Sequence, residues 1–235
     1  MAKPNLSEIV ERQARVWEVR ERIAREGGEA ARRALAHLAE GPWISLSKQW
    51  GCGARAIAAK LAEALHWQWF DKEIVAAIAE HSHTLQSIVS RLDEHAIGTI
   101  NDYLAQMTVP NDPGQVNYLR EMVRVVSGLA HNGNAIILGR GANFFLKPQF
   151  GLRVRLVAPL EARVRRLVEE REVDEKTARA AIKTQDDGQR AFVRQVFRAD
   201  VDDATGYDLV VNTADLGLDV AARVIEAALR RKLQA

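Results

Sequence analysis

The sequence predicts an α/β fold, a three-layer open sheet of about five parallel strands with helices on both faces. Three observations carry this. Short apolar, β-branched runs alternate with longer amphipathic stretches, the order that parallel strands joined by right-handed helical crossovers require. The first apolar run passes through a glycine-bearing turn, Gly51 and Gly53, straight into a helix. At 235 residues, with 47% hydrophobic and 27% charged residues, the chain can bury a full core and forms one large domain or a domain with an appendage.

Residues 1–40 are rich in Ala, Glu and Arg, with Ile9, Val10, Ala14, Trp17 and Ile23 at helical spacing. A break at Gly27 and Gly28 precedes a second helical stretch to Leu38. This is a helical arm laid against a main domain at 41–235. Its charged faces are solvated, or Trp17 packs them on a second subunit in a homodimer. Strand ISLS (44–47) leads to helix 53–65. WQWFD (67–71) is a short aromatic strand beside the first, ending in Asp71. Helical segments run through 72–107, and the turn formers TVPNDPGQVN (108–117) separate them from helix 117–131. AIILGR (135–140) reads as a buried central strand ending in Arg140. LRVRLVA (152–158), helices 160–171 and 174–198, strand YDLVVNT (207–213) and helix 218–233 complete the order. In open parallel sheets ligands sit beyond the carboxyl ends of the strands. Lys48 to Arg55, Asp71, Gly139 and Arg140 all fall there.

Composition narrows the classes. No apolar stretch approaches membrane-spanning length, and MAKPNLSEIVERQ lacks the core of a secretory signal, so a cytoplasmic protein without membrane contacts is expected. A net charge of +2 implies no broad nucleic-acid surface. The single cysteine, Cys52, excludes an intrachain disulfide and a multi-cysteine metal site. It is an activated nucleophile at a helix N-terminus or a small side chain tolerated in a turn. His81, His83 and His95 lie on polar helical ground without a zinc spacing, so no protein-held metal is expected.

The turn after the first strand has the form of a phosphate-binding loop. Glycines bring backbone N–H groups close to an anion, and the following helix points its positive dipole end at the same space. Against the pattern G-x-x-x-x-G-K-[ST], Lys48 stands at the first glycine, Ala54 at the lysine, and Arg55 and Ala56 offer no hydroxyl. Phosphoryl transfer needs positive charge around three phosphates more than covalent chemistry. Arginines therefore matter. Arg140, with Gly139 before it, projects into the ligand crevice or caps a strand end in an ion pair. In residues 183–203, Lys183, Asp187, Arg190, Arg194 and Arg198 recur at three- to four-residue spacings, a basic stripe suited to closing over a polyphosphate or an ordinary ion-paired surface helix. Asp71 orients an acceptor or holds a metal through water, or caps the helix starting at Lys72; both can hold.

Together, ISLSKQWGCGARAIAAKLAEAL, WFDKEIV (69–75), AIILGRGANFFL (135–146) and YDLVVNTADLGLD (207–219) resemble the cytidylate kinase-like family, relatives of the nucleoside monophosphate kinases. The likeness spans about residues 42–233 and leaves the arm outside. It implies a P-loop core, an acceptor-nucleotide insert at about 72–130 and a mobile lid at about 183–203. It also implies ATP with Mg2+ bound at Gly51, Cys52, Gly53, Ala54 and Arg55, and nucleotides as partners. Arg140 matches an arginine that contacts the acceptor phosphate, and Lys183, Asp187 and Arg190 match a group recognising cytosine and phosphate. Lys48 and Arg55 neutralise the donor phosphates while Arg194 and Arg198 close from the lid. The expected reaction is phosphoryl transfer from ATP to CMP or dCMP. The chain departs from the pattern at Ala54, at Leu138, where an acid often precedes the Gly-Arg pair, and at Gly141, where an aspartate often follows it. Loss of one charge donor costs on the order of 3 kcal/mol, about a hundredfold in rate. A catalytically weak nucleotide-binding module and a kinase for another small phosphorylated acceptor are the alternatives.

Overall fold

The structure, a computed structural model, describes residues 42–73, 75, 76 and 113–234. The N-terminal arm, its homodimer contact and most of the 72–130 insert lie outside the described residues. The strands are β1 (Trp43–Lys48), β2 (Gln68–Phe70), β3 (Ala135–Leu138), β4 (Gly151–Val157) and β5 (Leu209–Asn212). All pairings are parallel, in the order β2-β3-β1-β4-β5. The helices are α1 (Ala54–Leu65), α2 (Pro113–Asn132), α3 (Ala142–Phe145), α4 (Leu160–Arg171), α5 (Glu175–Phe197) and α6 (Gly217–Lys232). Among the described residues no helix is long and apolar enough to cross a membrane.

The three layers follow from the period-two alternation of side chains along each strand. In β3, Ile136 and Leu138 join Ile44, Leu46, Val154 and Leu156 against Ile57 and Leu61 of α1 and Ile225 and Leu229 of α6. Ala135 and Ile137 face the other way, with Trp43 and Phe70, against Met122, Val126 and Leu129 of α2. Strands covered on both faces read as unbroken apolar runs, as AIIL does. A third cluster, Val164, Leu167, Ala178 and Ile182, joins α4 to α5 and holds the indole of Trp50.

The expected layers, strands and flanking helices are present. The differences are local. β1, not the AIIL strand, is central, and β2 pairs with β3 rather than with β1. α2 starts at Pro113 inside the expected turn segment, because proline at a first helical position loses only an N–H that has no helical partner anyway. β3 ends at Leu138, before Gly139 and Arg140.

Candidate active site

The switch in sheet order lies at β1, between β3 and β4, and the loop that follows β1 therefore opens into the crevice such sheets use for ligands. Gly51 and Gly53 both take left-handed backbone, φ 83° and 80°, which glycine adopts without steric cost. The peptide carbonyls turn outward: Gly51 O accepts from Arg166 at 3.0 Å and Cys52 O from the Thr213 hydroxyl at 2.8 Å. Among the described residues no acceptor takes the N–H of Gly53 or Arg55, the donors a helix N-terminus offers to an anion. This loop fits the phosphates of a nucleotide.

Beside it lies a cleft of about 690 Å³, within the size range of small-ligand sites. Lys48, Arg55, Lys72, Arg140 and Arg171 line it, against Asp71, Glu73 and Asp186. Lys48 ends β1 with its Nζ 5.8 Å above the Trp50 ring. Burial pushes its pKa down, opposed by the Cys52 thiol and reinforced by Arg140 and Arg55. An ammonium held there without full hydration has most to gain from a phosphate.

Arg140 stands in an unusual turn. Gly139, Arg140 and Gly141 have φ of 73°, 59° and 66°, and a non-glycine residue in this region is a cost of order 1–3 kcal/mol that clusters at functional sites. Its Nη1 donates to the Tyr118 hydroxyl of α2 at 2.9 Å, while its Nε is buried without a hydrogen-bond partner. At Gly141 a Cβ would run into the ring of Phe197. That ring stacks on Phe144, centroids 5.0 Å apart, and meets Phe192 edge-on at 5.7 Å. Aromatic bulk thus occupies the space an acid at position 141 would need.

Asp71 caps the helical turn at Lys72, accepting from Glu73 N at 3.0 Å, and its other oxygen pairs with Arg55 at 2.6 Å. Arg55 also reaches Glu73 at 3.3 Å. The cap reading therefore holds, and Arg55 is shared with two carboxylates. Cys52 is buried and burial pushes its thiol up to about 11, so it is a packed side chain and not an activated nucleophile. Ala54 is buried as the first residue of α1.

The cleft brings together Lys48, Arg55, Asp71 and Arg140, and the loop follows directly on Lys48. It does not bring in the basic stripe. Lys183, Asp187, Arg190 and Arg194 are exposed on α5 and do not line it. Asp187 pairs with Lys183 at 2.7 Å and Arg190 at 3.2 Å, and Arg190 turns to Asp202 at 3.1 Å. Arg198 terminates α5 in left-handed backbone.

Residues that spacing did not reveal hold the cleft in shape. Asp186, buried on α5, accepts the Trp50 N–H at 2.8 Å with one oxygen and Arg163 Nη1 at 2.6 Å with the other. Arg163 also donates to the carbonyls of Ala158 and Trp50, so α4, α5 and the loop are tied at one point. Arg155, opposite Ser47 in the β1–β4 register, is 3% exposed. It donates to Ser47 at 2.9 Å, Gln189 at 3.2 Å and Asp202 at 2.7 Å. Burial raises the pKa of Asp202, but its bonds to Arg190 and Arg155 outweigh this and hold it low. The available signal was an arginine inside a parallel strand, which must be paired because both faces are covered.

Among the described residues no group of three or more His, Cys, Asp or Glu could hold a metal ion. A magnesium ion carried by nucleotide phosphates and water needs only one or two carboxylates. Asp71 and Glu73 in the cleft fit that demand.

The family model for the cytidylate kinase-like family matches residues 43–215. The chain is 26% identical to a cytidylate kinase of Methanocaldococcus jannaschii over 106 residues, 43% of this chain and 58% of that relative. Less than two thirds of the relative's length is thus spanned. A crystal structure titled as an uncharacterized protein from Eubacterium ventriosum superposes with a TM-score of 0.64 at 20% identity, over 80% of this chain and 98% of that one. A shikimate kinase from Bacteroides thetaiotaomicron superposes at a TM-score of 0.39 and 19% identity, over 82% and 96%. With the five-stranded parallel sheet, the loop after β1 and a family match across most of its length, the chain belongs to the cytidylate kinase-like family.

Proposed function

We propose that the protein transfers the γ-phosphoryl group of ATP to a nucleoside monophosphate, CMP or dCMP before others. The observation that supports this most is the cleft in which Lys48 and Arg140 face one another's space beside a glycine loop with open N–H donors. The donor phosphates rest on the backbone from Gly51 to Arg55, through Cys52, Gly53 and Ala54. Lys48 supplies the charge that the loop lysine gives elsewhere. An acceptor phosphate oxygen attacks the γ-phosphorus in line, the bridging bond to the β-phosphate breaks, and the electron pair leaves with ADP. Arg140, aligned by Tyr118, holds the acceptor phosphate with its guanidinium. No general base is required, because the acceptor is already an anion and positioning dominates. Asp71 and Glu73, once released from Arg55, would hold a magnesium ion, which would supply charge neutralisation to the phosphates.

Arg55 contributes less than spacing suggests, since a guanidinium engaged by Asp71 and Glu73 must give up those partners to reach a phosphate. Lys183, Asp187, Arg190, Arg194 and Arg198 remain family-derived candidates for the acceptor and lid. Of these, Lys183, Asp187 and Arg190 are engaged with one another and with Asp202, and they act on a ligand only by leaving those partners. That engagement of Arg55 also favours the second reading, a nucleotide-binding module with weak catalysis.

The test is phosphoryl transfer from MgATP to a panel of nucleoside monophosphates, with Arg55→Ala and Arg140→Ala beside the native chain. Turnover on CMP that falls about a hundredfold in Arg140→Ala and less in Arg55→Ala supports the proposal. ATP binding without turnover on any acceptor leaves the binding module.

A further inference from the structure

We infer that Thr213, just after β5, is a positioning residue for the donor nucleotide: its buried hydroxyl fixes the Cys52–Gly53 peptide so that the Gly53 N–H is presented to a donor phosphate. The inference rests on the phosphoryl-transfer reading, to which it adds a group outside the loop that sets the loop's donor geometry.

The loop gives part of its backbone to the protein itself. Trp50 N–H donates to Asp186 at 2.8 Å and Cys52 N–H to Gln49 O at 3.4 Å. The Gly53 N–H is not spent in this way among the described residues. A planar trans peptide points its C=O and its N–H in opposite directions, so whatever holds the Cys52 carbonyl also aims the Gly53 N–H. The loop does not lock this peptide by its own backbone. Turning it over changes ψ of Cys52 and φ of Gly53, and glycine accepts either sign of φ. The observed φ of 80° at Gly53 is therefore one of two conformations open to it.

Thr213 selects between them. A hydroxyl has one proton to give, and Thr213 Oγ1 lies 2.8 Å from Cys52 O and 3.4 Å from Val157 O. Val157 O already accepts the Thr213 N–H at 2.9 Å, so the proton goes to Cys52. That backbone bond continues the pairing of β5 with β4 past Asn212 and holds the threonine backbone in register. A β-branched side chain on fixed backbone has few rotamers left. Thr213 is 0% exposed and Cys52 1%, so water does not stand in for the bond. From α6, the Leu218 side chain lies where a Cβ on Gly53 would be, and the β5–α6 segment thus bears on both residues of the peptide.

Thr213→Val keeps the shape and removes the hydroxyl, whereas Thr213→Ser keeps the hydroxyl and removes the methyl. With the full chain, saturating CMP and MgATP varied, Thr213→Val is expected to raise KM for MgATP about tenfold and to leave KM for CMP unchanged. Thr213→Ser is expected to keep the native KM for MgATP although the lost methyl lowers its Tm. Thr213→Ala set against Thr213→Ser repeats the contrast at equal loss of volume, and it replaces the valine variant if that protein does not fold. A role in stability alone would follow Tm and not the hydroxyl. A native enzyme that turns over CMP, with KM for MgATP unchanged in the variants lacking the hydroxyl or raised equally in Thr213→Ser, overturns the inference and leaves the phosphoryl-transfer reading standing. If the native chain turns over no nucleoside monophosphate, calorimetric titration with MgADP decides. Binding weakened in Thr213→Val and retained in Thr213→Ser upholds the role of Thr213, and equal or absent binding overturns it.

Discussion

Asp186 and Asp187 are neighbours in sequence and opposites in role. Successive helical residues point about 100° apart, which sends Asp186 into the junction of loop, α4 and α5 and leaves Asp187 on the solvent side with Lys183 and Arg190. The side chain of Asp186 is 10% exposed and that of Asp187 51%. Charge spacing of the same kind thus yields a buried tie in one case and a surface ladder in the other. Position on the helix face decides between them, not residue type.

The largest effect expected follows from breaking the buried side. Asp186→Ala strands Arg163 as a buried, unpaired cation, a loss of about 3–5 kcal/mol, read by denaturant unfolding. A midpoint like that of the native protein would show that the junction carries no weight. Lys48→Met comes next, with a loss of on the order of 3 kcal/mol in transition-state stabilisation and so about a hundredfold in kcat. Its fold should be retained, since burial already disfavours the charged form of Lys48.

Gly141→Ala sharpens the comparison at the aromatic wall. The new Cβ must displace the Phe197 ring at a left-handed position, a cost of about 1–3 kcal/mol. Phe197→Leu in the same chain should recover part of it. If the single variant melts with the native protein, the wall is softer than its packing implies.

A smaller effect is expected at Asp208. Burial pushes its pKa up, but hydrogen bonds from Arg153 and Lys232 outweigh this and bring it to about 2, below the ordinary 3.8. A depressed carboxyl stabilises the fold fully above its unfolded pKa and loses that contribution as pH falls from 3.8 toward 2. Asp208→Asn should therefore lower Tm by about 2–4 °C at neutral pH, with the difference from the native chain closing through that acid window. A gap independent of pH would assign the effect to packing. Asp187→Asn closes the series, with a melting temperature indistinguishable from the native one, as exposed ladders contribute little.

Much of this architecture was legible in the residues. Alternating apolar runs and amphipathic stretches marked the five strands and their flanking helices. The loop at Gly51 and Gly53, Lys48 at the end of β1, and Asp71 and Arg140 in the crevice followed from topology. What spacing could not convey was pairing across long separations. Asp186 meets Trp50, and Arg155 meets Ser47 and Asp202, contacts that exist only once the sheet and the α4–α5 pair are assembled. Periodicity placed Lys183, Asp187, Arg190 and Arg194 on one face of α5 without saying which face meets the cleft. The left-handed run at Gly139, Arg140 and Gly141 was hidden because AIILGR has no break in its apolar pattern until the glycine.

The most direct test of the account is phosphoryl transfer from MgATP to CMP by the native chain and by Lys48→Met, with both shown to be folded by their melting curves. The account predicts turnover by the native enzyme and a loss of about a hundredfold in kcat for the variant. A native chain with no turnover, or a Lys48→Met protein as active as the native one, would contradict the assignment of the chemistry to this cleft.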